Sequence, residues 1–466
     1  MPRSSAALVI KIFGVCSDTM DILKNEKVIN RRSFLRTSAA LGTGLLLSPE
    51  SFGQTAGPQT EDINVALLGT GAQGQVLLDA CLKIPGLRFK AVCDIWQSYN
   101  QTRTSRLLKK YGHEHNTYVD YQEMLDKEKD LDAVIIATPD FWHAEQTIAC
   151  LKSGLNVYCE KEMSNTLEGA AKMVEAAKET GKLLQIGHQR RSNPRYIHCY
   201  EKLLKEAKLL GRITTINGQW NRAVRPDLGT PEKYVIDQAT LEKYGFKSMH
   251  QFRNWRWYKG LGGGPIVDLG SHQIDIYNWF LAASPAAVMA GGGTNYYEKA
   301  THEWYDTVMA LYEYQTSQGT VRAFYQTITT NSSQGYFETF MGDQGTLMIS
   351  ESAARGAVYR EPAAPEWDKW VKAGFLVAPV EEKKEEAGTA LDVRETLAPP
   401  AYELAVKMDK LYHQPHLENF FDAVRGKAKL NCPPEIGYET AVTVLKVNEA
   451  VEAGCKLSFK PEDFKV

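Results

Sequence analysis

The strongest constraint on this chain is a six-residue turn, Gly69-Thr70-Gly71-Ala72-Gln73-Gly74. The apolar run Ile63 to Leu68 enters it, and Gln75 to Lys83, patterned as a helix, leaves it. A buried strand, a glycine turn and a helix in that order make a seat for a pyrophosphate. Glycines let backbone approach the ligand, and the free N–H groups at the helix start carry partial positive charge. A second strand, Arg88 to Cys93, ends at Asp94, twenty positions after Gly74. An acid there can accept hydrogen bonds from the adenosine ribose and repels the extra phosphate of NADP, so the spacing predicts NAD.

The alternation continues. Strands are predicted at Leu131 to Ala137, Asn156 to Cys159 and Leu183 to Ile186, with helices at His143 to Ser153 and Leu167 to Thr180. Strand and helix in regular turn predict an α/β Rossmann fold with a doubly wound parallel sheet. Ligands collect at the carboxyl ends of such strands, where Thr138, Lys161 and His188 fall. The predicted cofactor contacts are the six residues of the turn with Asp94, Thr138, Pro139, His143, Glu160 and Lys161.

After Gln189 the texture changes. Strand-like runs at Ile213 to Trp220, Thr307 to Tyr314, Val321 to Thr329, Tyr336 to Met341 and Thr346 to Ser350 predict an α+β domain on a large, mostly antiparallel sheet. Helices at Leu417 to Val424 and Tyr438 to Ala453 close it. Residues 351–400, rich in Ala, Glu and Pro, read as a surface excursion. The expected domains are 61–187 for the nucleotide and 188–466 for substrate and oligomer contacts.

Within the second half, Asp268, His272 and Asp275 are spaced to share one stripe of an apolar helix. Polar groups on a buried helix are costly unless paired or used, so the stripe is a candidate site. Gly262-Gly263-Gly264 just before it are expected to admit a flat ligand. The chain is rich in aromatic residues expected near the pocket: Phe141, Trp142, Trp220, Trp255, Trp257, Tyr258, Trp304 and Tyr305. Such faces stack on sugar rings.

Bulk properties exclude other classes. A net charge of −2 gives no field for nucleic acid. No apolar run of about 18 residues follows residue 60, which argues against a membrane span. The eight cysteines form no CxxC pair, so neither a zinc nor any other metal site is expected, and buried free thiols are. Residues 1–60 read as an export signal and linker. Arg31-Arg32-Ser33-Phe34-Leu35 before a short apolar stretch is a twin-arginine pattern, which predicts a periplasmic protein exported already folded.

Four pieces in order, Gly69 to Gly74, Ala137-Thr138-Pro139, Glu160-Lys161 and Asp268 to Asp275, make residues 62 to 450 resemble the Gfo/Idh/MocA oxidoreductases, the glucose–fructose oxidoreductase and inositol dehydrogenase group. By that resemblance Lys161, Asp268 and His272 are the catalytic residues, with Arg191 and Trp257 joining them around the substrate. The segment Gly187 to Arg191 resembles one near the cofactor, which adds Gln189 and Arg190. The family usually has proline after the lysine, and this chain has Glu162. The resemblance implies oxidation of a secondary hydroxyl on a sugar or glycoside, tightly held NAD, and a homo-oligomer. Two alternatives stand beside it: an NAD-dependent glycoside hydrolase working by transient oxidation and elimination, and a non-catalytic sugar-binding protein.

Overall fold

The structure is a computed structural model that describes residues 62–379 and 399–466; the predicted export signal lies outside the described residues. Six parallel strands form the first sheet: β1 (Ile63–Leu68), β2 (Leu87–Cys93), β3 (Asn116–Tyr118), β4 (Ala133–Ile136), β5 (Asn156–Cys159) and β6 (Leu184–Ile186). Their order is β3-β2-β1-β4-β5-β6. The chain therefore reverses direction of travel at β1 and β4, and the crevice between their carboxyl ends is where a nucleotide lies in such folds. Helices α1 (Ala72–Cys81) and α2 (Thr102–Lys110) cover one face, and α3 (Tyr121–Lys127), α4 (Asp140–Lys152) and α5 (Leu167–Thr180) the other.

The second sheet has ten strands. β7 (Ile213–Asn221) is followed by a long crossing before β8 (Pro285–Gly293), β9 (Thr307–Thr316), β10 (Gly319–Ile328), β11 (Tyr336–Gly342) and β12 (Gly345–Ile349). Neighbours are antiparallel except β7 and β10, which run parallel because the crossing carries helix α6 (Gly264–Leu281). That helix lies on the inner face, where the Tyr277 hydroxyl donates to the Phe324 carbonyl at 2.9 Å. Helices α7 (Gln414–Val424) and α8 (Pro434–Ala453) bind the halves together, and one apolar cluster runs continuously from β4 and β6 into β8, β9 and β10.

One boundary is corrected. Residues 351–400 are not only a surface excursion: β13 (Gly356–Arg360) and β14 (Leu376–Val377) join β15 (Ala401–Leu404), just beyond the segment, in extending the second sheet at one edge, and a short β16 (Leu457–Ser458) closes the other. Trp367 is buried there against Gly345. The remaining part, 380–398, lies outside the described residues. Among the described residues every cysteine is a free thiol and all but Cys455 are buried. No helix among them is long and apolar enough to cross a membrane.

Candidate active site at the junction of the two sheets

The glycine turn has two kinds of glycine. Gly69 sits at φ +86°, and a Cβ on it would meet the Ala137 carbonyl carbon at 2.6 Å; a Cβ on Gly74 would run into the Gly69 carbonyl oxygen. Both are required by packing between β1, α1 and β4. Gly71 is different. A Cβ there would find only Asn100 Nδ2, at 3.8 Å, so nothing in the protein fills the space it leaves. A cavity of about 660 Å³ fronts that side, lined by Ala72, Gln75, Asn100, Arg103 and His413 among others. An open glycine at a helix start, beside a cavity with a guanidinium, fits the pyrophosphate of NAD.

Asp94 is more engaged than the spacing predicts. Its Oδ2 accepts from the Thr70 backbone N–H at 2.7 Å and from the Thr70 hydroxyl at 3.0 Å, and its Oδ1 from Trp96 N–H at 2.7 Å. Burial pushes its pKa up, against those bonds. It ties the glycine turn to β2 and keeps one lone-pair position on Oδ1 for a ribose hydroxyl. Glu160 performs a second tie: it accepts from Gln73 Nε2 at 3.1 Å and from the Lys161 backbone N–H at 3.2 Å. Gln73 and Glu160 thus couple the pyrophosphate turn to the lysine. Thr138 donates its hydroxyl to Gln146 at 2.6 Å, and Pro139 leads into α4 in extended conformation.

Lys161, at the end of β5, reaches across to α6. Its ammonium donates to the Asp268 carbonyl and to Asp268 Oδ1 at 3.2 Å, with the lysine side chain only 10% exposed. Arg256 meets the same Oδ1 at 3.1 Å. Burial opposes ionisation of Asp268, but Lys161, Arg256 and Arg222 prevail and hold it far below the usual carboxylate range. His272 lies one turn further along α6, its ring 5.5 Å from that of Trp220. Burial, reinforced by Lys161 and Arg190, holds its pKa well below the usual histidine value. It is therefore a neutral imidazole at neutral pH. Its Nδ1 is buried without a partner.

The stripe divides. Asp268 serves Lys161 and Arg256 rather than His272, and Asp275 turns away to a buried pair with Arg191 (2.8 Å) and to the Thr440 hydroxyl (2.9 Å). Arg191, expected at the substrate, is consumed by that pair and acts on the site only by anchoring α6. Arg190, expected at the cofactor, is buried between Glu338 and Glu351 on the second sheet. Gln189 donates to Glu351 at 3.1 Å, with its Oε1 left unpaired. His143 is enclosed between the Glu162 and Thr138 carbonyls, at 2.7 and 2.8 Å, so it braces the backbone after β4 and β5 rather than facing a ligand. Two carbonyls around one ring favour a charged imidazole, whereas burial lowers its pKa to about 4; complete enclosure makes the burial effect the stronger. Trp257 packs on His302 and Tyr297, with centroids 4.3 and 5.3 Å away. The space at Gly262, Gly263 and Gly264 is taken by Trp255, Val267 and Trp304, so these glycines serve helix packing and not a flat ligand.

Arg256 joins the site without a sequence signal, whereas His188 is one of the residues expected at a strand end. Arg256 sits in a Trp-Arg-Trp-Tyr run with no spacing to flag it. His188 has both ring nitrogens buried and unpaired, and Ser271 Oγ is likewise orphaned. His188 and His272 are close enough for each to disfavour the other's charge, and their unpaired ring nitrogens mark a polar gap between the end of β6 and the middle of α6 that a ligand or water fills.

Glu162 replaces the expected proline, and the Lys161–Glu162 peptide is cis. Its carboxyl is fully buried, with Oε1 accepting from Met163 N–H at 2.9 Å and Oε2 unpaired. Burial raises its pKa to about 8, from 4.5 when unperturbed. An acid that binds its proton more tightly when folded loses stability as pH rises through that interval. Glu162→Gln is therefore expected to gain on the parent chain between about pH 4.5 and pH 8, approaching about 5 kcal/mol. Chemical denaturation at several pH values checks this; parallel curves for the two proteins would contradict it.

Comparison with known proteins agrees with this geometry. Residues 63–188 match the oxidoreductase family described as having an NAD-binding Rossmann fold, and residues 202–348 match the GFO/IDH/MocA C-terminal domain. An inositol 2-dehydrogenase from Rubrobacter xylanophilus is 26% identical over 74% of this chain and 87% of its own length, so the likeness spans both halves. A 1,5-anhydro-D-fructose reductase from Ensifer adhaerens is 29% identical over 48% of this chain and 59% of its own. Among solved structures, the WlbA dehydrogenase of Chromobacterium violaceum, in complex with NADH and UDP-GlcNAcA, superposes with a TM-score of 0.62 at 19% identity, covering 86% of this chain and 97% of that one. The aldose-aldose oxidoreductase of Caulobacter crescentus gives 0.62 at 17% identity, over 86% of this chain and all of that one; at such identities the likeness is one of fold. With both of its halves matched in order, this chain belongs to the Gfo/Idh/MocA family of NAD-binding oxidoreductases.

Proposed function

We propose that this protein oxidises a secondary hydroxyl of a sugar or glycoside, using NAD that stays bound and is recycled in place. The observation that carries the reading is the Lys161–Asp268 contact, 3.2 Å long, which joins the cofactor half to the helix bearing His272. Bound NAD supplies the hydride acceptor. The Lys161 ammonium, fixed by Asp268, donates to the hydroxyl oxygen and stabilises negative charge as it develops. Asp268 remains ionised throughout, so the lysine keeps its counter-ion and its position. His272, neutral and without a hydrogen-bond partner, accepts the hydroxyl proton. Inositol and anhydrofructose as the substrates of relatives support a polyol or sugar.

The twin-arginine pattern supports export of the folded, loaded enzyme. Export separates it from the cytoplasmic NAD pool, which is the reason for recycling. The outer face of the second sheet exposes Met289, Met309 and Leu311, a surface suited to a second copy of the chain. A partial likeness to a glycosyl hydrolase family 109 protein from Shewanella, over 33% of this chain, keeps the elimination route as the second reading. Incubating the purified protein with a panel of glycosides separates these. A keto-sugar supports oxidation, a freed aglycone with no net redox change supports elimination, and NAD-loaded protein that binds sugars without converting any overturns both.

A further inference from the structure

The crevice contains a cation that the oxidation chemistry leaves unused. Trp220, near the end of β7, is in register with Tyr336 of β11, and the two rings stack with centroids 4.5 Å apart and planes 19° from parallel. Earlier in the same inward row, Gly218 is covered by Tyr277 of α6. Trp220 and Tyr336 are the pair beyond that cover, and both are half-buried. The His272 ring lies 5.5 Å from Trp220, and the Arg222 guanidinium lies 5.2 Å from the same ring.

Arg222 is unlike the other arginines here. Arg190 has Glu338 and Glu351, Arg191 has Asp275, and Arg256 has Asp268. Among the described residues no carboxylate lies within ion-pair distance of Arg222, and its side chain makes no hydrogen bond. The charges that face it are Asp268, which attracts, and Arg225 and Arg256, which repel. Asp268 is already shared by Lys161 and Arg256, so one carboxylate answers three cations. Burial, with those like charges, lowers the Arg222 pKa. A half-buried guanidinium without a counter-ion is costly, and an anion brought by a ligand removes the cost. The Trp220 indole N–H and the Tyr336 hydroxyl also lack protein partners, which leaves donors along the edge of the stack.

We propose that the Trp220–Tyr336 stack is the platform for the substrate's sugar ring and that Arg222 selects an anionic carbohydrate, carrying a carboxylate or phosphate away from the carbon oxidised at His272. The apolar face of a sugar ring matches an aromatic face, and a guanidinium fork matches either oxyanion. This rests on the sugar-oxidation reading and gives it a substrate class.

The test is calorimetric binding to the NAD-loaded protein, with glucose against glucuronate, galactose against galacturonate, and glucose 6-phosphate. At least one anionic sugar is expected to bind about tenfold tighter than its neutral partner, and the better of the carboxylate and phosphate ligands identifies the oxyanion. Arg222→Gln is expected to bring that ratio close to one, with NAD content as the control for folding. Trp220→Ala is expected to weaken all five ligands. Equal affinity for neutral and anionic sugars, or a preference that survives Arg222→Gln, overturns the selectivity while leaving sugar oxidation standing. Failure of all five ligands to bind loaded protein overturns the sugar-oxidation reading itself.

Discussion

His272→Ala is expected to lower kcat roughly a thousand-fold while the purified protein keeps its NAD. The imidazole is the base in this account, and it touches none of the groups that hold the glycine turn. Its environment also sets the pH dependence. Burial and Lys161 hold its pKa below the usual histidine value, so the imidazole stays deprotonated as pH falls through the ordinary histidine range. The acid limb of kcat/KM attributable to this group is therefore displaced below about pH 6.5. A pH–rate profile of the parent protein and a single-turnover rate for the variant check both statements. A His272→Ala protein with full activity would remove the histidine from the mechanism.

Gly71→Val is expected to give a folded protein without cofactor. The position has φ −64°, which valine tolerates, and only Asn100 within 4 Å of the new Cβ. The fold therefore has no need of glycine there, and the larger side chain fills space held open for the pyrophosphate. Gly74→Val is expected to fail differently, because its Cβ collides with the Gly69 backbone. Circular dichroism with NAD release on denaturation separates the two: native spectrum and no NAD for the first, loss of the native fold for the second. A Gly71→Val protein that carries a full complement of NAD would displace the pyrophosphate from this turn.

The fold was legible where local chemistry and tertiary demand coincide. Leu167–Thr180 is a helix with the boundaries its sequence predicts, because the Thr166 hydroxyl accepts from Gly169 N–H and Gly181 takes the left-handed conformation at the other end. Asn156–Cys159 likewise reads as a buried strand and is one. Strand β3 was missed, since Asn116-Thr117-Tyr118 is too short and polar to show a period. The strands within 351–400 were missed for the same reason: β13 spans five residues and β14 two, too few to show a period.

The site was legible in part. Motif spacing located Lys161, Asp268 and His272, but could not say which carboxylate meets which cation. Arg190 and Arg191 stand together in sequence beside a cofactor-binding segment, yet Glu338, Glu351 and Asp275 claim them from elements 84 or more positions away. Arg222 and Arg256 have the opposite history. Nothing in their neighbourhood marks them, and only the fold sets Arg256 against Asp268 and brings Arg222 within reach of its charge.

The central claim is that a sugar hydroxyl gives its hydride to NAD already held by this chain. It is tested most directly by adding sugars and glycosides, neutral and anionic, to the purified protein with no free NAD present, and following the near-ultraviolet absorbance of reduced nicotinamide. The account predicts a rapid rise stoichiometric with bound cofactor, absent in His272→Ala. Loaded protein that shows no rise and no product with any sugar it binds would contradict it.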